Sequence, residues 1–161
     1  LNVNSVVRIM PNTPGQIGEG ISVWTATPET SEGQRNQARV IVGALGKEIH
    51  VEKEDYLDMA TALSGSGPAY VFLFIEALID AGVQMGFSRD IARELALQTV
   101  RGAAIYAQKT GEHVAVLRNM VTSPGGTTAE ALYQFERGGL RAVVSEAVLA
   151  AYQKAIDLGE S

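Results

Sequence analysis

Apolar positions change their period once along the chain. An apolar stretch runs from Val3 to Met10; Val6, Val7 and Ile9 suit a strand, which Pro11 and Pro14-Gly15 close. Between Gly20 and Ala26 the period is two, with Ile21, Val23 and Thr25 alternating with Ser22 and Trp24, and this predicts a second strand. Thr27-Pro28-Glu29 reads as an N-cap followed by proline at the first helical position. The helix predicted there runs to about Leu45, with Ala38, Ile41, Val42 and Leu45 on one face and Gly46 past its end. Glu48 to Val51 predicts a short third strand through Ile49 and Val51, with His50 between them facing solvent.

Beyond Lys53 every periodic segment is helical. Asp55 to Leu63 predicts a short helix, and Pro68 opens a long one towards Met85. Ser88 caps the next, which reaches Lys109; shorter helices follow at Ala115 to Met120 and Thr127 to Glu136, and a last one at Leu140 to Leu158. Gly86, Gly111, Gly125-Gly126 and Gly138-Gly139 punctuate them. The chain therefore reads as mainly α, a strand-helix-strand remnant followed by a helical domain. Three short strands make a poor sheet alone. Their earlier partners are expected to precede Leu1.

One helix is too apolar for a solvated surface. Tyr70 to Ile79 carries a single charge, Glu76, where a surface helix would show a polar stripe. Two readings fit: a central core helix, or a helix with one side in the core and another on a second subunit. Leu140 to Ala155 is rich in Ala and Val, which lets helices approach closely, and the pattern favours an obligate homodimer.

Composition narrows the chemistry. The 161 residues are 46% hydrophobic and 19% charged, enough for a core. A net charge of −5 lacks the electrostatic footprint of a nucleic-acid binder, so no nucleic-acid partner is expected. The absence of cysteine removes disulfides and thiolate chemistry, and fits a cytoplasmic protein. No unbroken apolar run reaches the roughly 20 residues needed to cross a bilayer, and no signal peptide opens the chain, so no membrane partner is expected. His50 and His113, the only histidines, lie far apart and form no metal site; His113 sits next to Glu112, with which it pairs at a helix start. Glu54, Asp55 and Asp58 cluster at a helix start, where the macrodipole favours acids.

Glycine, at 17 residues, marks two turns before helices. Ser64-Gly65-Ser66-Gly67-Pro68-Ala69-Tyr70 looks superficially like a dinucleotide fingerprint but fails it. Tyr70 stands where the third small residue belongs, the preceding segment is helical, and Pro68 removes a donor. The segment is expected to be a flexible break between helices. Thr122-Ser123-Pro124-Gly125-Gly126-Thr127-Thr128 has two glycines that turn amides towards one point, with a helix N-terminus behind them. It is either an anion cradle for a carboxylate or phosphate, or a plain turn with an N-cap.

Met120 to Thr128, with Ala131-Leu132, Phe135-Glu136 and Gly138-Gly139, resembles the signature of pyrroline-5-carboxylate reductase. Arg8 to Pro14 looks like that family's last nucleotide-domain strand, and Ala62 to Tyr70 like its interdomain segment. The resemblance implies residues 1–52 as the C-terminal remnant of a Rossmann domain. It implies residues 53–161 as an all-helical dimerisation and substrate domain, 6-phosphogluconate dehydrogenase C-terminal-like. It further implies a homodimer, in many members built into a decamer, and a Gly-rich pyrophosphate loop lying before Leu1, without which these residues alone are expected to be inactive.

The implied reaction is hydride transfer from NADPH or NADH to 1-pyrroline-5-carboxylate, giving L-proline, the last step of this amino-acid biosynthesis. Gly125, Gly126 and Thr127 would hold the carboxylate with Ser123 close by, and Thr128 would direct its hydroxyl at the imine nitrogen. Glu54 would contact the ring nitrogen. Met10, Pro11 and Asn12 would border the nicotinamide. Val114 stands where the family commonly has proline. Met120 replaces a polar residue that in some members touches cofactor from the partner subunit. The alternative to a reductase is a stand-alone helical dimerisation or ligand-binding module.

Overall fold

A computed structural model describes residues 4–159. These fall into two compact units: the residues up to Tyr70 together with those from Ser145 onward, and Val71–Val144.

The first unit holds β1 (Val7–Met10), a 3-10 turn (Thr13–Ile17), β2 (Gly20–Ala26), α1 (Glu32–Gly43), β3 (Gly46–His50) and α2 (Asp55–Ala60). β2 is central. It pairs antiparallel with β1, Ile9 opposite Trp24, and parallel with β3, Val23 opposite Ile49. The parallel pair needs a crossover, which α1 supplies. α1 starts at Glu32, later than the predicted proline start, because Ser31 and Gln34 form a capping box. Thr27 serves the sheet instead: its N–H donates to the Val6 carbonyl at 2.9 Å and its hydroxyl to the Asn4 carbonyl at 2.8 Å.

Of the predicted apolar face of α1, only Val42 is buried; Ile41 is 69% exposed. Trp24, 1% exposed, centres the core of this unit with Val42, Leu57, Ala60 and Ala62. Its indole N–H donates to Glu48 Oε2 at 2.5 Å, and the Arg39 guanidinium lies 5.9 Å over its ring. Arg39 Nε also approaches Glu48 Oε1 at 3.5 Å, tying α1 to β3. His50 does not face solvent as expected. Register pairs it with Trp24, so both side chains leave the same face, and their rings stand 4.4 Å apart. Ile49 takes the exposed side.

After α2 the helix does not break. It widens into a π turn at Thr61–Gly65 and continues as α3 (Gly67–Gln84). The expected flexible hinge is thus a continuous helical path from Asp55 to Gln84, long and apolar enough by length and composition to cross a membrane. Two apolar stretches that looked separate in sequence join because the widened turn absorbs Gly65 and Ser66 without ending the helix.

The second unit carries the rest of α3, then α4 (Arg89–Thr110), α5 (Val114–Met120), α6 (Thr127–Arg137) and the start of α7 (Leu140–Gly159). Ser88 caps α4 through the Ile91 N–H, and Gly111, at φ 66°, ends it. α3 and α4 close on small residues: a Cβ on Gly82 would sit 2.9 Å from that of Ala92. Around this contact the apolar side chains stay largely uncovered; Phe72, Leu73, Met85, Ile91, Leu95 and Tyr133 are all exposed.

Three substitutions test the first unit. Gly46 has φ 132° and a Cβ there would run into the Gly20 backbone, whereas Gly18, at φ 74°, meets nothing. Gly46→Ala is expected to cost about 3 kcal/mol or more in chemical denaturation and Gly18→Ala about 1 kcal/mol. Equal costs would contradict the close approach. Ser22 Oγ is buried with no hydrogen-bond partner among the described residues, so Ser22→Ala is expected to be neutral or stabilising by about 1 kcal/mol.

Candidate functional site

The glycine turn before α6 has the features of an anion cradle. Ser123 to Gly126 form a β-turn, closed by the Gly126 N–H donating to the Ser123 carbonyl at 3.0 Å. Gly125 takes φ 68°, the position a proline-glycine turn reserves for glycine. Gly126 is the N-cap of α6 and supplies no side-chain bond to the helix start. α1, α4 and α5 differ, each closed by a side chain: Ser31, Ser88 and His113. The backbone N–H groups of Thr127, Thr128 and Ala129 therefore have no acceptor among the described residues. A Cβ at position 126 would strike Ser123 Oγ, so glycine there keeps that hydroxyl at the helix start. The hydroxyls of Ser123, Thr127 and Thr128 make no hydrogen bond among the described residues and remain available. Three backbone amides without acceptors, the Ser123 hydroxyl and the positive end of an eleven-residue helix thus lie at one helix start, with the Thr127 and Thr128 hydroxyls in its first turn.

Just upstream, His113 does not pair with Glu112 as expected. Its Nδ1 accepts the Ala115 N–H at 3.2 Å and caps α5, because the first turn of that helix offers the ring an unpaired donor. The Met120 side chain, at the end of α5, is exposed.

The remaining predicted residues lie in the first unit. Met10 ends β1, Pro11 follows it exposed, and Asn12 is the N-cap of the 3-10 turn. Glu54 precedes α2 and pairs with Arg8 of β1, both side chains largely exposed. Nothing in residue spacing announced that pair, since Arg8 and Glu54 belong to elements far apart in the chain. Asn12 is engaged at both ends of its side chain: Oδ1 accepts the Ile21 N–H at 3.0 Å and Nδ2 donates to the Ser64 carbonyl at 3.2 Å. Gly65 packs against the Met10 methyl, which a Cβ there would strike. No group of three or more His, Asp or Glu side chains suited to a metal occurs among the described residues.

The family model described as pyrroline-5-carboxylate reductase dimerisation matches residues 54–158. A pyrroline-5-carboxylate reductase of Arabidopsis thaliana is 45% identical over 155 residues, covering 96% of this chain and 56% of that protein. One of Synechocystis is 44% identical over 157 residues, covering 98% and 58%. Among solved structures, pyrroline carboxylate reductase of Plasmodium falciparum with NADP bound superposes with a TM-score of 0.93 at 39% identity. That match covers 98% of this chain and 60% of the other. The Coxiella burnetii enzyme gives a TM-score of 0.91 at 44% identity, covering 96% and 57%. The chain thus spans a little over half the length of the relatives it matches.

The open start of α6 has a direct signature. In hydrogen exchange, the amides of Thr127, Thr128 and Ala129 are expected to exchange as exposed groups, while those of Gln34 and Ile91, held by Ser31 and Ser88, are protected. Equal protection at the three helix starts would contradict an open cradle.

Proposed function

The chain belongs to the pyrroline-5-carboxylate reductase family, and on that premise we propose that it forms the imine-binding and dimerisation part of an NAD(P)H-dependent reductase making L-proline from 1-pyrroline-5-carboxylate. The observation that carries this reading is the uncapped N-terminus of α6 behind Gly125 and Gly126. A substrate with a carboxylate next to an imine nitrogen matches it: the N–H groups of Thr127 to Ala129 take the carboxylate, and the Ser123 hydroxyl adds a donor. The Thr128 hydroxyl, in the first turn, orients the imine nitrogen. A threonine hydroxyl is a poor acid, so the proton reaches nitrogen through water. Glu54 serves the ring nitrogen by its family position, in competition with Arg8.

NADPH or NADH, when bound, supplies the hydride. The residues present fit its nicotinamide end, because Met10 and Pro11 offer an apolar edge next to a turn that Asn12 fixes. In this reading residues 1–52 close the nucleotide-binding domain and residues 53–161 form the dimerisation and substrate domain, in a cytoplasmic enzyme.

Exposed surface supports the dimer. Large apolar side chains of α3 and α4, Phe72, Leu73, Ile91 and Leu95 among them, stay open to solvent in the single chain. The same argument explains the apolar helix from Asp55 to Gln84. It carries Asp55, Asp58, Glu76 and Asp80 along its length, which suit a protein interface with a wet margin better than a bilayer. A decamer would add dimer-dimer contacts beyond these.

Three measurements test the reading. Sedimentation at micromolar concentration is expected to show a dimer; a stable monomer would rule the interface out. L-proline is expected to slow exchange at Thr127, Thr128 and Ala129, and no change there would remove the carboxylate assignment. Joined to the nucleotide-binding portion of the Synechocystis relative, the chain is expected to oxidise NADPH with pyrroline-5-carboxylate. In that chimera Thr128→Ala should lower turnover about a hundredfold with little change in cofactor affinity. An inactive but folded chimera would favour a non-catalytic dimerisation module.

A further inference from the structure

The wide turn at Thr61–Gly65 rearranges backbone hydrogen bonding in a specific way. The Ser66 N–H reaches back five residues to the Thr61 carbonyl at 2.8 Å, and the Ala69 N–H reaches only three, to Ser66, at 3.0 Å. In a regular α-helix the Ser64 carbonyl would accept from the N–H four residues on. That residue is Pro68, which has none. Side chains also reach the carbonyls around the turn. Ser64 Oγ donates to the Ala60 carbonyl at 3.0 Å, Tyr70 Oη to the Ala62 carbonyl at 3.0 Å, and Asn12 Nδ2 to the Ser64 carbonyl at 3.2 Å. Asn12 reaches across 52 positions of sequence to make its bond, while its Oδ1 holds the Ile21 N–H of β2. On the same side, Gly65 lies against the Met10 methyl.

From this geometry we infer that Asn12 is a positioning residue. It clamps the Met10-Pro11 turn between β2 and the wide turn, through a carbonyl that Pro68 leaves free. The idea rests on the reading that Met10 and Pro11 border the nicotinamide, and it changes the part given to Asn12. With both ends of its amide used inside the protein, Asn12 acts on the cofactor edge through Met10 and Pro11. The sequence Ser-Gly-Ser-Gly-Pro here keeps one carbonyl open and one methyl pocket clear, the second because a Cβ at position 65 would displace Met10.

A double-mutant cycle in the full chain tests the clamp, using folding stability and the methyl resonance of labelled Met10. Asn12→Asp keeps an oxygen for the Ile21 N–H and removes the donor to Ser64. Alone it is expected to lower the folding equilibrium constant about tenfold and to shift the Met10 methyl while the Ile21 amide stays protected. Pro68→Ala gives the Ser64 carbonyl a backbone donor, so in that background Asn12→Asp should cost less than about twofold. The same tenfold loss in both backgrounds would overturn the clamp, as would an unmoved Met10 methyl. If Pro68→Ala does not fold, Asn12→Asp decides alone: loss of protection at Ile21 together with the methyl shift would mark general loosening and overturn it too. Saturation transfer from NADPH to the Met10 methyl tests the nicotinamide reading separately, and its failure would leave the clamp standing.

Discussion

Burial is the constraint on which the rest of this molecule depends. A helix gains most of its stability in water from packing an apolar face, since its backbone hydrogen bonds replace equivalent bonds to water. In the unit from Val71 to Val144 little of that packing is internal: the residues fully covered there are Gly82, Ala92 and Ala96, all small. Large side chains such as Phe72, Leu73 and Leu95 remain in contact with solvent. Helices of this composition need a surface to close against, and the proposed second subunit is that surface. Dimerisation in this reading is part of folding, because the monomer lacks a core large enough to hold α3 to α6 in place.

The sheet unit solves the same problem differently. Its core is one large side chain, Trp24, with both its polar and its aromatic surfaces in use: the N–H on Glu48, the ring tilted against His50, one face under Arg39. A buried indole with its donor satisfied needs few neighbours to be worth ordering. Glu48 accepts from Trp24 and also pairs with Arg39, so α1, β2 and β3 converge on a single carboxylate.

Much of this was legible in the chain. The strand at Gly20–Ala26 was visible from its alternation and the helix starts at Ser88 and Thr127 from their caps and glycines. The turn and open helix start from Ser123 to Ala129 lie within seven consecutive residues, so their geometry is local and sequence suffices for it. What sequence hid was decided at a distance. Ser31 won the cap of α1 over Thr27 because Thr27 was needed by Val6 and Asn4 across the sheet. His50 faces Trp24 because register, which spacing alone does not reveal, placed it there. The Ser64 to Pro68 segment looked like a break because glycine and proline usually make one. The amide that completes its carbonyl comes from Asn12, in a different element altogether.

The cap on α5 has a consequence of its own. His113 receives the Ala115 N–H on Nδ1, so the neutral ring must carry its proton on Nε2. One tautomer is thereby selected by a backbone amide, and Nε2 keeps the ring's donor. The only histidine in the helical unit thus serves as a helix cap, ten residues ahead of Ser123 in the chain.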